Sequence, residues 1–188
     1  MSTYCEIAPG HEWHGPYHES HYGFPIDDDD QLFERLILEI NQAGLSWLTI
    51  LKRQDAFRKA FRDFKIEKVA RLSARDVERL MQDASIIRNR MKIEATIENA
   101  KRIKAIQREM GSFAAWLQFH HPKRKDEWVK LFKKTLVFTG GEIVGEFLMS
   151  IGYLPGAHHA TCPIYKRIVK LKPAWMAAER KGFNYSEA

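Results

Sequence analysis

Four residues with metal-ligand chemistry stand in two pairs near opposite ends of the chain. Cys5 is followed by His18 thirteen positions on, and His158 by Cys162 four positions on. Structural zinc sites take four tetrahedral ligands from cysteine and histidine. His158 and Cys162 can reach one ion from a turn or a helix. Cys5 and His18 are too far apart to form a local knuckle, so their partners must come from elsewhere. If both pairs meet around one zinc, the polypeptide is a closed loop and all that lies between must fold within that closure. Spacing alone leaves the ligand set open, because His11, His14, His21 and His159 compete for it. A disulfide between Cys5 and Cys162, the chain's two cysteines, is the other use of the same residues, and a reducing cytosol disfavours it. A full set of four protein ligands leaves no place for water, which makes such a site structural rather than catalytic.

At 188 residues, with 45% hydrophobic and 12% aromatic composition, the sequence suits one globular domain over 1–188, with 1–24 and 153–188 as the clamped terminal part. Nothing approaches the ~18 uninterrupted apolar residues of a membrane helix, and the start has no charged-then-apolar leader. A cytoplasmic protein with no membrane contact is the expectation, and a monomer. The formal net charge of +6 favours a polyanionic partner.

Helical periodicity runs through most of the chain, and convincing strand alternation is absent, so the expected class is all-α. Residues 1–24 read as loop with short turns. Asp30 is the expected N-cap of a helix carrying Leu32, Phe33, Leu36, Ile37, Ile40 and Ala43, which Gly44 ends. Ser46 caps a second helix through Trp47, Ile50 and Leu51, whose continuation brings Phe57, Phe61 and Phe64 to the core. Ser73 and Asp76 form a capping-box start to a short helix ending near Ala84. A longer helix carries Ile93, Ile97, Ala100, Ile103 and Ile106. Another carries Phe113, Trp116, Leu117 and Phe119 and stops at His121-Pro122. Lys123-Arg124-Lys125 reads as a basic turn. Thr139 to Glu142 reads as a capping box before Ile143, Val144, Phe147, Leu148 and Ile151, and the tail from Pro163 is basic and semi-amphipathic.

Two further groups carry chemistry. Glu39 falls at the edge of the apolar stripe of Leu32, Leu36 and Ala43, where a carboxylate is partly desolvated and needs a partner. It is either a boundary residue that reaches water or an arginine, or a carboxylate waiting for a ligand's donors beside the stacking surface of Trp47. Arg88, Arg90 and Lys92 cluster at the turn between two helices. They are either a solvated charged face or, with the N–H groups at the second helix's start, a phosphate-binding turn.

The block Gln42-Ala43-Gly44-Leu45-Ser46-Trp47, with Glu39 one turn earlier, resembles the signature of the 3-methyladenine DNA glycosylase I family. Tyr17-His18-Glu19 is similar to that family's Tyr-His-Asp segment. Gln82 to Ile93 is similar to its helix-hairpin-helix, and the Cys5/His18 and His158-x-x-x-Cys162 spacings match its zinc ligands. The resemblance spans Cys5 to Cys162. It implies an all-α helix-hairpin-helix fold with the termini tied by a structural zinc on Cys5, His18, His158 and Cys162. It implies removal of alkylated adenine from double-stranded DNA in base excision repair. Carried over by position, Glu39 would hydrogen-bond the flipped base and act with Tyr17 and Trp47 as the catalytic set. Tyr22 and Gln42 would belong to the base pocket, Gly44-Leu45 would enter the stack that the extruded nucleotide leaves, and the hairpin around Ser85 to Arg88 would hold the phosphate backbone. With no lysine placed as a Schiff-base nucleophile, hydrolysis without strand cleavage is expected. Departures fall at Ile7 and Tyr22, where the family carries Trp, and at Ser85 and Met91, where its hairpin carries Gly. A non-catalytic DNA-binding module on the same fold is the other reading that these departures leave open.

Overall fold

The computed structural model describes residues 3–186, so positions 1, 2, 187 and 188 of the expected 1–188 domain lie outside the described residues. Among the described residues every regular element is helical, as the periodicity predicts. In chain order these are α1 (Tyr4–Ile7), α2 (His14–Ser20), α3 (Asp29–Gln42), α4 (Trp47–Leu51), α5 (Gln54–Ala60), a 3-10 turn (Arg62–Phe64), α6 (Ile66–Val69) and α7 (Ala74–Met81). There follow α8 (Arg90–Met110), α9 (Phe113–His120), α10 (Lys125–Thr135), α11 (Gly141–Ser150), α12 (Pro163–Lys170) and α13 (Ala174–Arg180).

Helix α3 is the axis of the molecule. It packs against α4, α6, α8, α9 and α11, and Leu32, Phe33, Leu36, Ile37 and Ile40 are fully buried. Apolar residues recur around nearly the whole of α3, the pattern of a helix buried on most sides. The aromatic run Phe57, Phe61 and Phe64 is core, as the sequence predicts, but is divided between α5 and the 3-10 turn. The stripe Ile93, Ile97, Ala100, Ile103 and Ile106 faces the same core from α8.

Several expectations need correction. Residues 1–24 contain two helices, because tertiary contacts at Tyr17 and His18 stabilise turns too short to stand alone. The N-cap of α3 is Asp28, whose carboxylate accepts the Gln31 N–H at 2.9 Å. Asp30 instead accepts the Ile66 N–H at 2.8 Å, and Asp29 takes those of Phe113 and Ala114, so adjacent acids cap three different helices. The helix after Ser73 ends at Met81, not Ala84, although its capping box forms. Phe119 is 71% exposed, on the outer side of α9. The basic turn leads into α10: Lys123 precedes the helix, Arg124 is its N-cap and Lys125 its first residue, and α10 buries Trp128 and Phe132 between its lysines. Thr139 does not cap α11: Gly140 is the N-cap, the Thr139 hydroxyl is buried with no partner among the described residues, and Glu142 pairs with Lys125 at 3.1 Å.

No helix among the described residues is long and apolar enough to cross a membrane.

Candidate active site and metal cluster

The two ends of the chain do meet. The ligand atoms of Cys5, His18, His158 and Cys162 all lie within 4.8 Å of one another, and the competing histidines are not in the group. Both cysteines are free thiols. Cys162 Sγ is 3.5 Å from His158 Nδ1 and 3.7 Å from His18 Nε2, and Cys5 Sγ is 3.6 Å from His158 Nδ1. Those separations match the ~3.6 Å edge between a sulfur and a nitrogen ligand of one tetrahedral ion. His158 Nε2 faces the Tyr22 carbonyl at 2.8 Å, which fixes the ring and turns Nδ1 to the cluster, the usual outer support of a ligating histidine. The residues therefore fit a metal ion. Gly23 permits the approach. Its φ is +82°, and a Cβ there would stand 2.9 Å from Ala157 Cβ and 2.9 Å from Ile168 Cδ1.

Helix α2, which carries His18 of this cluster, brings Tyr17 against Arg35 of α3, and Tyr22 follows it. Tyr17 is 7% and Tyr22 9% exposed, and they form an apolar group with Leu51, Tyr4 and Trp47. The Tyr17 ring centroid is 5.0 Å from that of Trp47 and 5.7 Å from that of Tyr22. Ser46 places Trp47 as expected, its side chain accepting the Thr49 N–H at 3.2 Å. The Trp47 indole N–H is buried and has no partner among the described residues.

Glu39 is 4% exposed, and no hydrogen bond or ion pair among the described residues reaches its carboxylate. It is not the boundary residue of the first alternative. Burial pushes its carboxyl up to about 8, with Glu146 adding to the rise and Arg35 opposing it. The same charge helps to raise the phenols of Tyr4, Tyr17 and Tyr22, after burial. The site is thus a desolvated acid with spare acceptor capacity among aromatic faces, suited to a flat ligand that is cationic and carries N–H donors.

Sequence reasoning missed three contributors. Arg35, four residues before Glu39, is 7% exposed; its guanidinium donates to the Tyr17 hydroxyl at 3.4 Å and to the carbonyls of His21 and Ser150 at 3.3 Å each, and lies 5.0 Å from the Tyr17 ring centroid. Its i, i+4 relation to Glu39 was the available signal. Glu146 on α11 accepts the Tyr22 hydroxyl at 3.1 Å, and Tyr4 joins the aromatic group. Neither has a local sequence signature.

Beyond α3 the chain turns through Gly44 at φ +81°, and Leu45 stands 40% exposed at the tip. Gln42 is half-buried, and its carbonyl accepts the Leu45 N–H at 2.6 Å. The turn between α7 and α8 exposes Ser85 and Arg88. Asp83 accepts both the N–H and the hydroxyl of Ser85, while Arg53 donates to the Ala84 and Ser85 carbonyls at 3.0 Å each. The three-cation cluster does not survive: Arg90 pairs with Glu78 at 2.8 Å, and Lys92 is buried. Arg88 alone of the three is exposed with no partner among the described residues.

The largest cavity described, about 1090 Å³, lies elsewhere, between α9 and the C-terminal segment, and includes none of these residues.

Residues 9–139 match the family model described as methyladenine glycosylase. The chain is 33% identical over 182 residues to the DNA-3-methyladenine glycosylase of Haemophilus influenzae, covering 87% of this chain and 98% of that protein. Among solved structures it is similar to a tyrosine-to-phenylalanine variant of 3-methyladenine DNA glycosylase I in complex with 3-methyladenine, with a TM-score of 0.78 at 32% identity over 87% of this chain and 97% of the other. It is also similar to 3-methyladenine DNA glycosylase I from Staphylococcus aureus, with a TM-score of 0.77 at 34% identity over 85% and 95% of the two chains.

Proposed function

The chain belongs to the methyladenine glycosylase family, and from that premise we infer that it is a DNA repair glycosylase that hydrolyses the N-glycosidic bond of 3-methyladenine in DNA. The observation that carries the reading is Glu39: a buried acid with no hydrogen-bond or ion-pair partner among the described residues, whose charge acts on the phenols of Tyr4, Tyr17 and Tyr22.

Methylation at N3 makes the adenine of a nucleotide cationic. Once the nucleotide is swung out of the stack, at a cost of a few kcal/mol, that cation gains from aromatic faces and from the carboxylate. Normal adenine gains neither to the same degree. Water attacks C1′, the bond from C1′ to N9 breaks, and its electron pair cancels the positive charge of the departing base. The attacking water releases its proton to solvent. Glu39 acts by binding the base and holding its orientation, with Tyr17 and Trp47 as stacking surfaces and Tyr22 and Gln42 at the margin. Gly44-Leu45 serves as the wedge that replaces the extruded nucleotide, which its exposed position favours. The α7–α8 turn serves as a helix-hairpin-helix grip through Arg88, while the Ser85 N–H and hydroxyl are held by Asp83 and shape the turn.

The reaction stops at base release. Lys92, the one buried lysine among the described residues, already donates to two carbonyls and is not available as a Schiff-base nucleophile. The Cys5, His18, His158 and Cys162 cluster would hold zinc. Zinc there would fix α2, and with it Tyr17, against the C-terminal segment. The free thiol pair accords with a reducing, cytoplasmic setting.

Base release from methylated duplex DNA, followed by chromatography of the freed bases, tests the assignment. Free 3-methyladenine from the wild type and intact strands afterwards are expected. Tight duplex binding with no freed base would instead favour a non-catalytic module.

A further inference from the structure

Lys92 lies in the first turn of α8, next to the residues assigned to the DNA backbone, yet it points away from solvent and is 5% exposed. Its ammonium donates to the Asn41 carbonyl at 2.9 Å and to the Ala43 carbonyl at 2.6 Å. These carbonyls sit at the C-terminal end of α3, where the aligned peptide dipoles leave partial negative charge. Ala43 leaves helical geometry at φ −49°, ψ 117°, and Gly44 follows at φ +81°. No acid among the described residues offsets the burial of this lysine, which lowers its pKa. A buried ammonium held by neutral carbonyls is a costly way to end a helix, and an apolar residue of similar volume would serve stability as well or better. What the lysine adds is a fixed relation between two otherwise separate parts: the tip that carries Leu45 and the helix start beside Arg88.

We propose that Lys92 is a positioning residue for base extrusion, fastening the Gly44-Leu45 tip to the start of α8 so that wedge and backbone grip engage DNA as one rigid unit. The proposal rests on the reading of Leu45 as the wedge. It acts through Leu45 and touches neither base nor sugar. Its loss therefore affects the step in which a duplex is opened and spares the pocket.

The test compares Lys92→Met, Leu45→Ala and the double variant. Single-turnover excision is measured on methylated duplex and on methylated single strands, and binding of free 3-methyladenine is followed by tryptophan fluorescence. Lys92→Met is expected to bind the free base and act on single strands like the wild type, and to act on duplex about 10- to 100-fold more slowly. The double variant is expected to be no slower on duplex than Leu45→Ala, because both changes disable one device. Lys92→Arg, which keeps charge and donors, should recover part of the duplex rate. If Lys92→Met does not fold, Lys92→Gln carries the same comparison. Wild-type duplex excision by the lysine variants, equal losses on both substrates, or additive losses in the double variant would each overturn the proposal. A Leu45→Ala enzyme with wild-type duplex activity would instead remove the wedge reading beneath it.

Discussion

Arg35 stands one helical turn before Glu39 and does not neutralise it. The guanidinium is held by the Tyr17 hydroxyl and by the carbonyls of His21 and Ser150, and the carboxyl has no partner among the described residues. Had the two formed a buried ion pair, Glu39 would be ionised and occupied. Instead the arginine buttresses Tyr17 while the acid keeps its acceptor capacity for a ligand.

Glu39→Gln should separate stability from activity. The folded-state pKa of about 8 exceeds the ordinary 4.5, so the fold binds this proton more tightly than the unfolded chain does. The stabilisation is fully present below pH 4.5 and is lost as pH rises through about 8. Glutamine carries no such loss. The variant should match the wild type near pH 4 and exceed it at pH 9 by roughly 2–4 kcal/mol in denaturant titrations. Excision should fall roughly 10- to 150-fold, the worth of one hydrogen bond to a charged group. Equal stability curves at both pH values would contradict the buried, unpaired acid.

The pH dependence of kcat/KM reports the ionisations of the free enzyme. If the anion of Glu39 receives the cationic base, kcat/KM should fall about tenfold per unit as pH drops below about 8. Glu146→Gln removes a like charge that helps to raise Glu39, so the limb should move to lower pH. A profile unchanged by that substitution would show that Glu146 is irrelevant to the acid.

Metal analysis of the purified protein should give one zinc per chain. Chelation, or Cys162→Ser, should lower the melting temperature by several degrees or more, because metal binding free energy is folding free energy. Excision should decline only as α2 and Tyr17 lose their position. An unchanged melting temperature after complete metal removal would leave the four ligands without a structural role.

Arg88→Ala should weaken duplex binding for all sequences alike and reduce the slope of log K against log salt by about 1, the signature of one lost phosphate contact. Arg90→Ala should alter the slope less, since Arg90 is paired with Glu78 at 2.8 Å. Identical slopes for Arg88→Ala and the wild type would remove the turn from the DNA interface.

Chain pattern alone determined the helical class, the apolar faces of α3 and α8, and the caps at Ser46 and Ser73, since these depend on residues within a turn or two of one another. It also marked Cys5, His18, His158 and Cys162, Glu39 and Trp47 as residues with chemistry. Tertiary structure decided what each would do. It gathered four residues that could hold a metal out of a crowd of histidines by bringing distant segments together, and it assigned Asp29 and Asp30 to helices remote in sequence. It buried Arg35 and Lys92, which any local rule assigns to the surface, because carbonyls from distant segments satisfy their donors. Periodicity encodes which face of a helix is apolar. Whether a charged group on that face meets a partner depends on long-range packing, and that is why the state of Glu39 became visible only in the folded chain.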